Sequence, residues 1–193
     1  MPITHLLYLH GFRSSPQSNK ARWLAEHMQK HHPNVHWRCP QLPASPAEAM
    51  DLVTKEIRSW PRENMAVIGS SLGGFYATWV AQQCSCPSVL LNPAVDPARD
   101  LARYIGEHAS WHDPKERIFF RGEYILELQA LDMRRHRAAA PELAIIAKGD
   151  ELLDWREMVD RYPEARRILI EGSDHALSDF PLHIPAIMDF LAL

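Results

Sequence analysis

The run Val67-Ile68-Gly69-Ser70-Ser71-Leu72-Gly73-Gly74 constrains this chain most. A short apolar stretch, Met65 to Ile68, meets Gly-x-Ser-x-Gly and then Phe75, Thr78, Trp79 and Gln82 at helical spacing. A strand that turns at once into a helix holds its middle residue at strained backbone angles, so the flanking positions must lack side chains that strike the strand or the helix start. Gly69 and Gly73 meet that need and leave Ser71 pointing outward. The plainer reading is a small-residue turn with Ser71 as a helix N-cap.

A serine hydroxyl is a poor nucleophile unless a base takes its proton and a third group orients that base. With this turn, the acid and then the histidine follow the serine, each on a loop after a strand. Leu143 to Ala147 is an apolar run that leads into Lys148-Gly149-Asp150-Glu151-Leu152-Leu153-Asp154. Arg167 to Glu171 leads into Gly172-Ser173-Asp174-His175-Ala176. Asp150 and His175 therefore stand where an orienting acid and a general base are required. Asp154 is the alternative acid and Asp96, after the run Ser88 to Leu91, the third. Glu151 is expected to point away, Asp174 reads as a turn former, and His183 is the weaker histidine.

Two backbone N–H donors must hold the oxyanion of the tetrahedral intermediate. The Leu72 amide, just after the nucleophile, is one. The other belongs on the loop after the first central strand, where Leu6 to Leu9 runs into His10-Gly11-Phe12-Arg13. Gly11 lets the backbone approach a substrate, and the Phe12 amide is the second donor. His10, Gly11 and Arg13 are candidates for contact with substrate.

Tyr8-Leu9-His10-Gly11-Phe12-Arg13-Ser14-Ser15-Pro16, Gly69 to Gly74, Asn92-Pro93-Ala94, Gly149-Asp150-Glu151 and Gly172-Ser173-Asp174-His175 occur in that order. Together they resemble the YqiA-like esterase family of small α/β-hydrolases, over nearly the whole chain. The resemblance implies an α/β-hydrolase fold and a serine esterase. Ser71 would be its nucleophile, His175 its base and Asp150 its acid, acting on acyl esters or thioesters. Asp150 follows Gly149 immediately, where many larger relatives place two residues between, which keeps Asp154 open.

Six short apolar runs, at residues 3–9, 35–38, 64–69, 88–92, 142–148 and 166–171, alternate with helix-length segments. That order argues for an α/β architecture of about six mainly parallel strands with helices on both faces. Lys20–His31, Pro46–Trp60 and Ile184–Leu193 read as covering helices. At 193 residues and 46% hydrophobic, a single domain spanning 1–193 is expected. Between Pro93 and Pro141 no clear strand is legible, and this stretch reads as a small helical lid insertion. In it, Ile125, Leu128, Leu131 and Met133 read as a packing face before an acyl pocket, and Arg134-Arg135-His136-Arg137 as a solvated run.

A net charge of −3 gives no global field for nucleic acid or a membrane surface. No apolar run approaches the ~20 residues of a span. Cys39 and the tight pair Cys84 and Cys86 suggest free thiols, and a cytoplasmic setting follows. His27 with His31 and His108 with His112 are four apart, but neither pair has the His-Glu-x-x-His carboxylate. No metal and no nucleotide cofactor are expected. The expected partner is a small acyl ester or thioester, and the sequence leaves monomer or homodimer open.

Overall fold

Each of the six apolar runs becomes a strand of one sheet in the computed structural model, which describes residues 2–111, 115, 117–134 and 137–193. In chain order the strands are β1 (His5–Leu9), β2 (His36–Arg38), β3 (Met65–Ser70) and β4 (Ser88–Leu91). After a small hairpin of β5 (Gly106–Ala109) and β6 (Arg117–Phe120) come β7 (Glu142–Ala147) and β8 (Arg166–Ile170). The large sheet has the order β2-β1-β3-β4-β7-β8. Every neighbouring pair in it is parallel.

Parallel strands need crossovers, and the crossovers cover both faces. The helices are α1 (Asn19–His31), α2 (Pro46–Glu56), α3 (Leu72–Cys84), α4 (Pro97–Leu101), α5 (Tyr124–Ala130), α6 (Trp155–Arg161) and α7 (Ile184–Leu191). Side chains alternate through the sheet. Leu7, Leu9, Val67, Leu90 and Ile146 face α2, α3, α5 and α6, whereas Leu6, Tyr8, Ile68, Leu91 and Ile145 face α1 and α7. This double burial explains why Met65–Ile68 of β3 and Val89–Leu91 of β4 are apolar without alternation. The edge strand β8 carries Arg166 and Arg167 on exposed positions, which discourages pairing with another chain.

β1 is followed by β2 on one side, and the chain then returns to place β3 on the other. The ends of β1 and β3 therefore flank the switch point, where parallel sheets open a crevice beyond their carboxyl ends. Gly11 and Ser71 lie there.

The stretch between β4 and β7 differs from expectation. It contains α4 and α5 but also the antiparallel hairpin, in which Gly106 pairs with Phe120 and Ala109 with Arg117. Strands of four residues carry little periodicity, and tertiary packing supplies the rest. Phe120 is fully buried, while Trp111 is 64% exposed. Leu128 enters the main core, with Ile125 and Leu131 packed against it, so this helix presents a packing face. Helix α2 ends at Glu56, short of the expected Trp60. His112, Arg135 and His136 lie outside the described residues. Among the described residues, no helix is long and apolar enough to cross a membrane.

Candidate active site

Ser71 sits between β3 and α3 at φ 57° and ψ −121°, a conformation that costs on the order of 1–3 kcal/mol and persists only when the surroundings dictate it. They do so here. The Ser71 N–H donates to the Leu91 carbonyl at 3.0 Å, and the Ser71 carbonyl accepts from Gly74, Phe75 and Ala94. The glycine requirement is steric. A Cβ on Gly69 would lie 2.0 Å from the Gly73 carbonyl oxygen, and one on Gly73 would lie 2.0 Å from that of Leu9.

His175 lies on the loop after β8. Its Nε2 is 2.9 Å from Ser71 Oγ, and its Nδ1 is 2.8 Å from Asp150 Oδ2. Because the carboxylate can only accept, the ring proton is held on Nδ1 and Nε2 is left to accept from the serine hydroxyl. Asp150 follows β7 with its side chain fully buried. Its second oxygen accepts from the Leu152 and Leu153 N–H groups, at 2.9 and 2.8 Å.

Asp154 stands apart from this group. It caps α6, accepting from Arg156 N. Asp96 likewise caps α4 and pairs with Arg134 at 2.7 Å. Glu151, expected to point away, turns back instead, and its carboxylate accepts from the His175 N–H at 2.9 Å. Asp174 is a turn former. Bonds from the Ser178 hydroxyl and N–H hold its carboxyl below the usual range. His183 faces Asp179.

A residue of the site whose role the sequence left unread is Asn92, buried at the end of β4 with φ 42°. Its amide nitrogen donates to the carbonyls of Asp174 (3.0 Å) and His175 (3.2 Å), while its oxygen accepts from Ala147 N at 2.8 Å. One side chain thus fixes the histidine loop to the ends of two central strands. An Asn-Pro directly after an apolar strand is the signal available, since Asn tolerates the left-handed region. Lys20 is the second, donating from Nζ to the Ala176 carbonyl. Burial lowers its ammonium to about 8, opposed by Asp174 and Asp150.

Ser71, His175 and Lys20 line a cleft of about 630 Å³, together with Phe12, Leu72, Trp23 and Trp111. Leu72 is the first residue of α3, where helix N–H groups lack partners within the helix. Gly11 and Arg13 also line the cleft. His10 does not. It is 3% exposed, accepts from Leu42 N through Nε2 at 3.0 Å and contacts its neighbour's carbonyl through Nδ1, so it braces the loop from within the core.

The model of the family described as "Uncharacterised protein family (UPF0227)" matches residues 5–192.

The chain belongs to the UPF0227 family.

This is the YqiA family to which the ordered motifs pointed. UPF0227 proteins from Yersinia pseudotuberculosis and Yersinia pestis are 24% identical over 193 residues, covering 97% of this chain and 99% of theirs. Among solved structures, Est1E from Butyrivibrio proteoclasticus with ferulic acid bound superposes with a TM-score of 0.78 at 13% identity, over 99% of this chain and 89% of that one. Alpha/beta hydrolase domain-containing protein 10 from mouse gives 0.70 at 16%, over 97% and 90%. A chain described with LipS and LipT, two metagenome-derived lipolytic enzymes, gives 0.70 at 18%, over 99% and 95%. The UPF0227 chain has the α/β-hydrolase fold.

Proposed function

We propose that this UPF0227 protein is a serine carboxylic-ester hydrolase acting through a Ser71-His175-Asp150 triad and a covalent acyl-enzyme on small or medium acyl esters. The observation that carries the reading is the unbroken relay from Ser71 Oγ through His175 to the buried Asp150 carboxylate, at 2.9 and 2.8 Å, facing an open cleft from a strained turn. The α/β-hydrolase neighbours with esterase and lipolytic names support it.

As Ser71 attacks the ester carbonyl, His175 Nε2 takes its proton and the carbonyl oxygen becomes an anion held by the Phe12 and Leu72 amides. His175 then gives that proton to the departing alcohol. Water repeats the sequence on the acyl-enzyme, with His175 again the base, releasing the acid and Ser71. Asp150 keeps the imidazole in its reactive tautomer and stabilises its charged form. The 93–141 insertion acts as a lid, supported by Pro97, Leu101, Tyr104 and Trp111 on the cleft wall. The free thiols of Cys39, Cys84 and Cys86 support a cytoplasmic setting.

An acyl-CoA thioesterase is the second reading. Arg13 and Arg103 line the cleft, and neither has a carboxylate partner among the described residues, whereas Arg134 and Arg137 are bound to Asp132, Asp96 and Glu164. Preference for a CoA ester over a simple ester of equal chain length distinguishes the two.

Covalent labelling with a fluorophosphonate tests the core of the proposal. We expect one adduct, at Ser71, absent in Ser71→Ala and strongly reduced in His175→Ala. Asp150→Asn should slow turnover by about 10⁴, and Asp154→Asn should leave it within a small factor. A folded protein that takes no label would instead be a hydrolase-shaped binding protein.

A further inference from the structure

Arg13 occupies φ 59°, a left-handed conformation that residues with a Cβ rarely adopt. The Ser14 N–H donates to the Gly11 carbonyl at 3.2 Å, so Arg13 is the second central residue of a tight turn, a place that turns with positive φ usually give to Gly or Asn. The support for this strain comes from far along the chain. The Arg13 carbonyl accepts from Trp111 N at 3.0 Å, Arg13 Nε donates to the Ala109 carbonyl at 2.7 Å, and the guanidinium lies 4.2 Å from the centre of the Trp111 ring. Phe12, next to it, has its ring 5.3 Å from Phe120, edge to face, and 5.8 Å from Tyr104.

We propose that the β5–β6 hairpin is a clamp on the loop bearing the Phe12 amide, with Arg13 as the positioning residue that couples hairpin placement to assembly of the oxyanion site. The proposal rests on the serine-hydrolase reading. It also gives Arg13 a role other than substrate contact. Two of its groups are turned to the hairpin, and the charge lies over the Trp111 ring. When the hairpin is seated, the Phe12 amide is held beside Ser71. When it lifts, the turn loses the bonds that sustain its strain.

Arg13→Gly is the informative variant, because glycine adopts the same backbone angle freely and so removes the side-chain bond to Ala109 and the contact with the Trp111 ring without breaking the turn or the backbone bond from Trp111 N. Trp111→Ala removes the ring from the other side. Hydrogen exchange of the segment 11–14 and hydrolysis of a neutral short-chain nitrophenyl ester and of a carboxylate-bearing counterpart are measured on both variants and on the wild type. We expect faster exchange in that segment with α3 unchanged. The kcat should fall roughly tenfold to a hundredfold, the scale of a slightly misplaced catalytic donor, with KM nearly constant. Unchanged exchange and kcat in Arg13→Gly overturn the clamp. So does an effect confined to the KM of carboxylate-bearing esters, which makes Arg13 a substrate contact. A wild type that neither labels nor hydrolyses defeats the hydrolase reading, a result distinct from an active variant with an undisturbed loop.

Discussion

At the scale of single residues, the same amino acid does opposite jobs according to what its backbone offers. Asp150 and Asp154 are four apart, yet one accepts two N–H bonds and the imidazole, while the other caps a helix. The difference was partly legible. Asp154-x-x-Glu157 has the spacing of a capping box, which marks Asp154 as a helix start. Asn92 shows the limit. Its motif was visible, but not its bonds, because Ala147 is brought to it by the pairing of β4 with β7, and Asp174 by the further pairing of β7 with β8. Asn92→Ala leaves two carbonyls and one N–H without these partners, so we expect a loss on the order of 3 kcal/mol in urea unfolding and slower ester hydrolysis. An unchanged midpoint would show that the loop is held by other bonds.

Among elements, legibility followed periodicity and burial. The apolar runs of β1, β3, β4 and β7 are readable because both faces of these strands are covered, and α3 because its small residues abut the turn at Ser71. The hairpin was not, since Gly-Glu-His-Ala and Arg-Ile-Phe-Phe alternate too briefly to announce strands. Nor was the inward turn of His10, whose partner Leu42 sits on a loop brought there by the β1 to β2 pairing. Phe120 is the anchor that makes the hairpin part of the fold. Phe120→Ala should cost about 3–5 kcal/mol in global unfolding. A loss below about 1 kcal/mol would mean that the hairpin opens independently of the sheet.

For the whole molecule, the half-buried Lys20 ties stability to alkaline pH. Below about pH 8 its ammonium is charged in folded and unfolded chains alike, so the burial cost is fully present. Between about 8 and the ordinary value of 10.5 the folded chain releases the proton first, so stability rises with pH. The difference between wild type and Lys20→Met should therefore shift in favour of the wild type from pH 7 to pH 9.5 in paired denaturation curves. A difference that stays flat would mean an unperturbed amine.

The stretch from Pro93 to Pro141 has a second office besides walling the cleft. It is the bridge by which the chain travels from the finish of β4 back to the beginning of its parallel neighbour β7, a journey that a tight turn cannot make. Descent with modification can therefore lengthen or trim this bridge but not abolish it. Length differences among kin should gather in its middle, between Leu101 and Tyr124, where an altered span reshapes the mouth of the cleft and leaves the sheet intact.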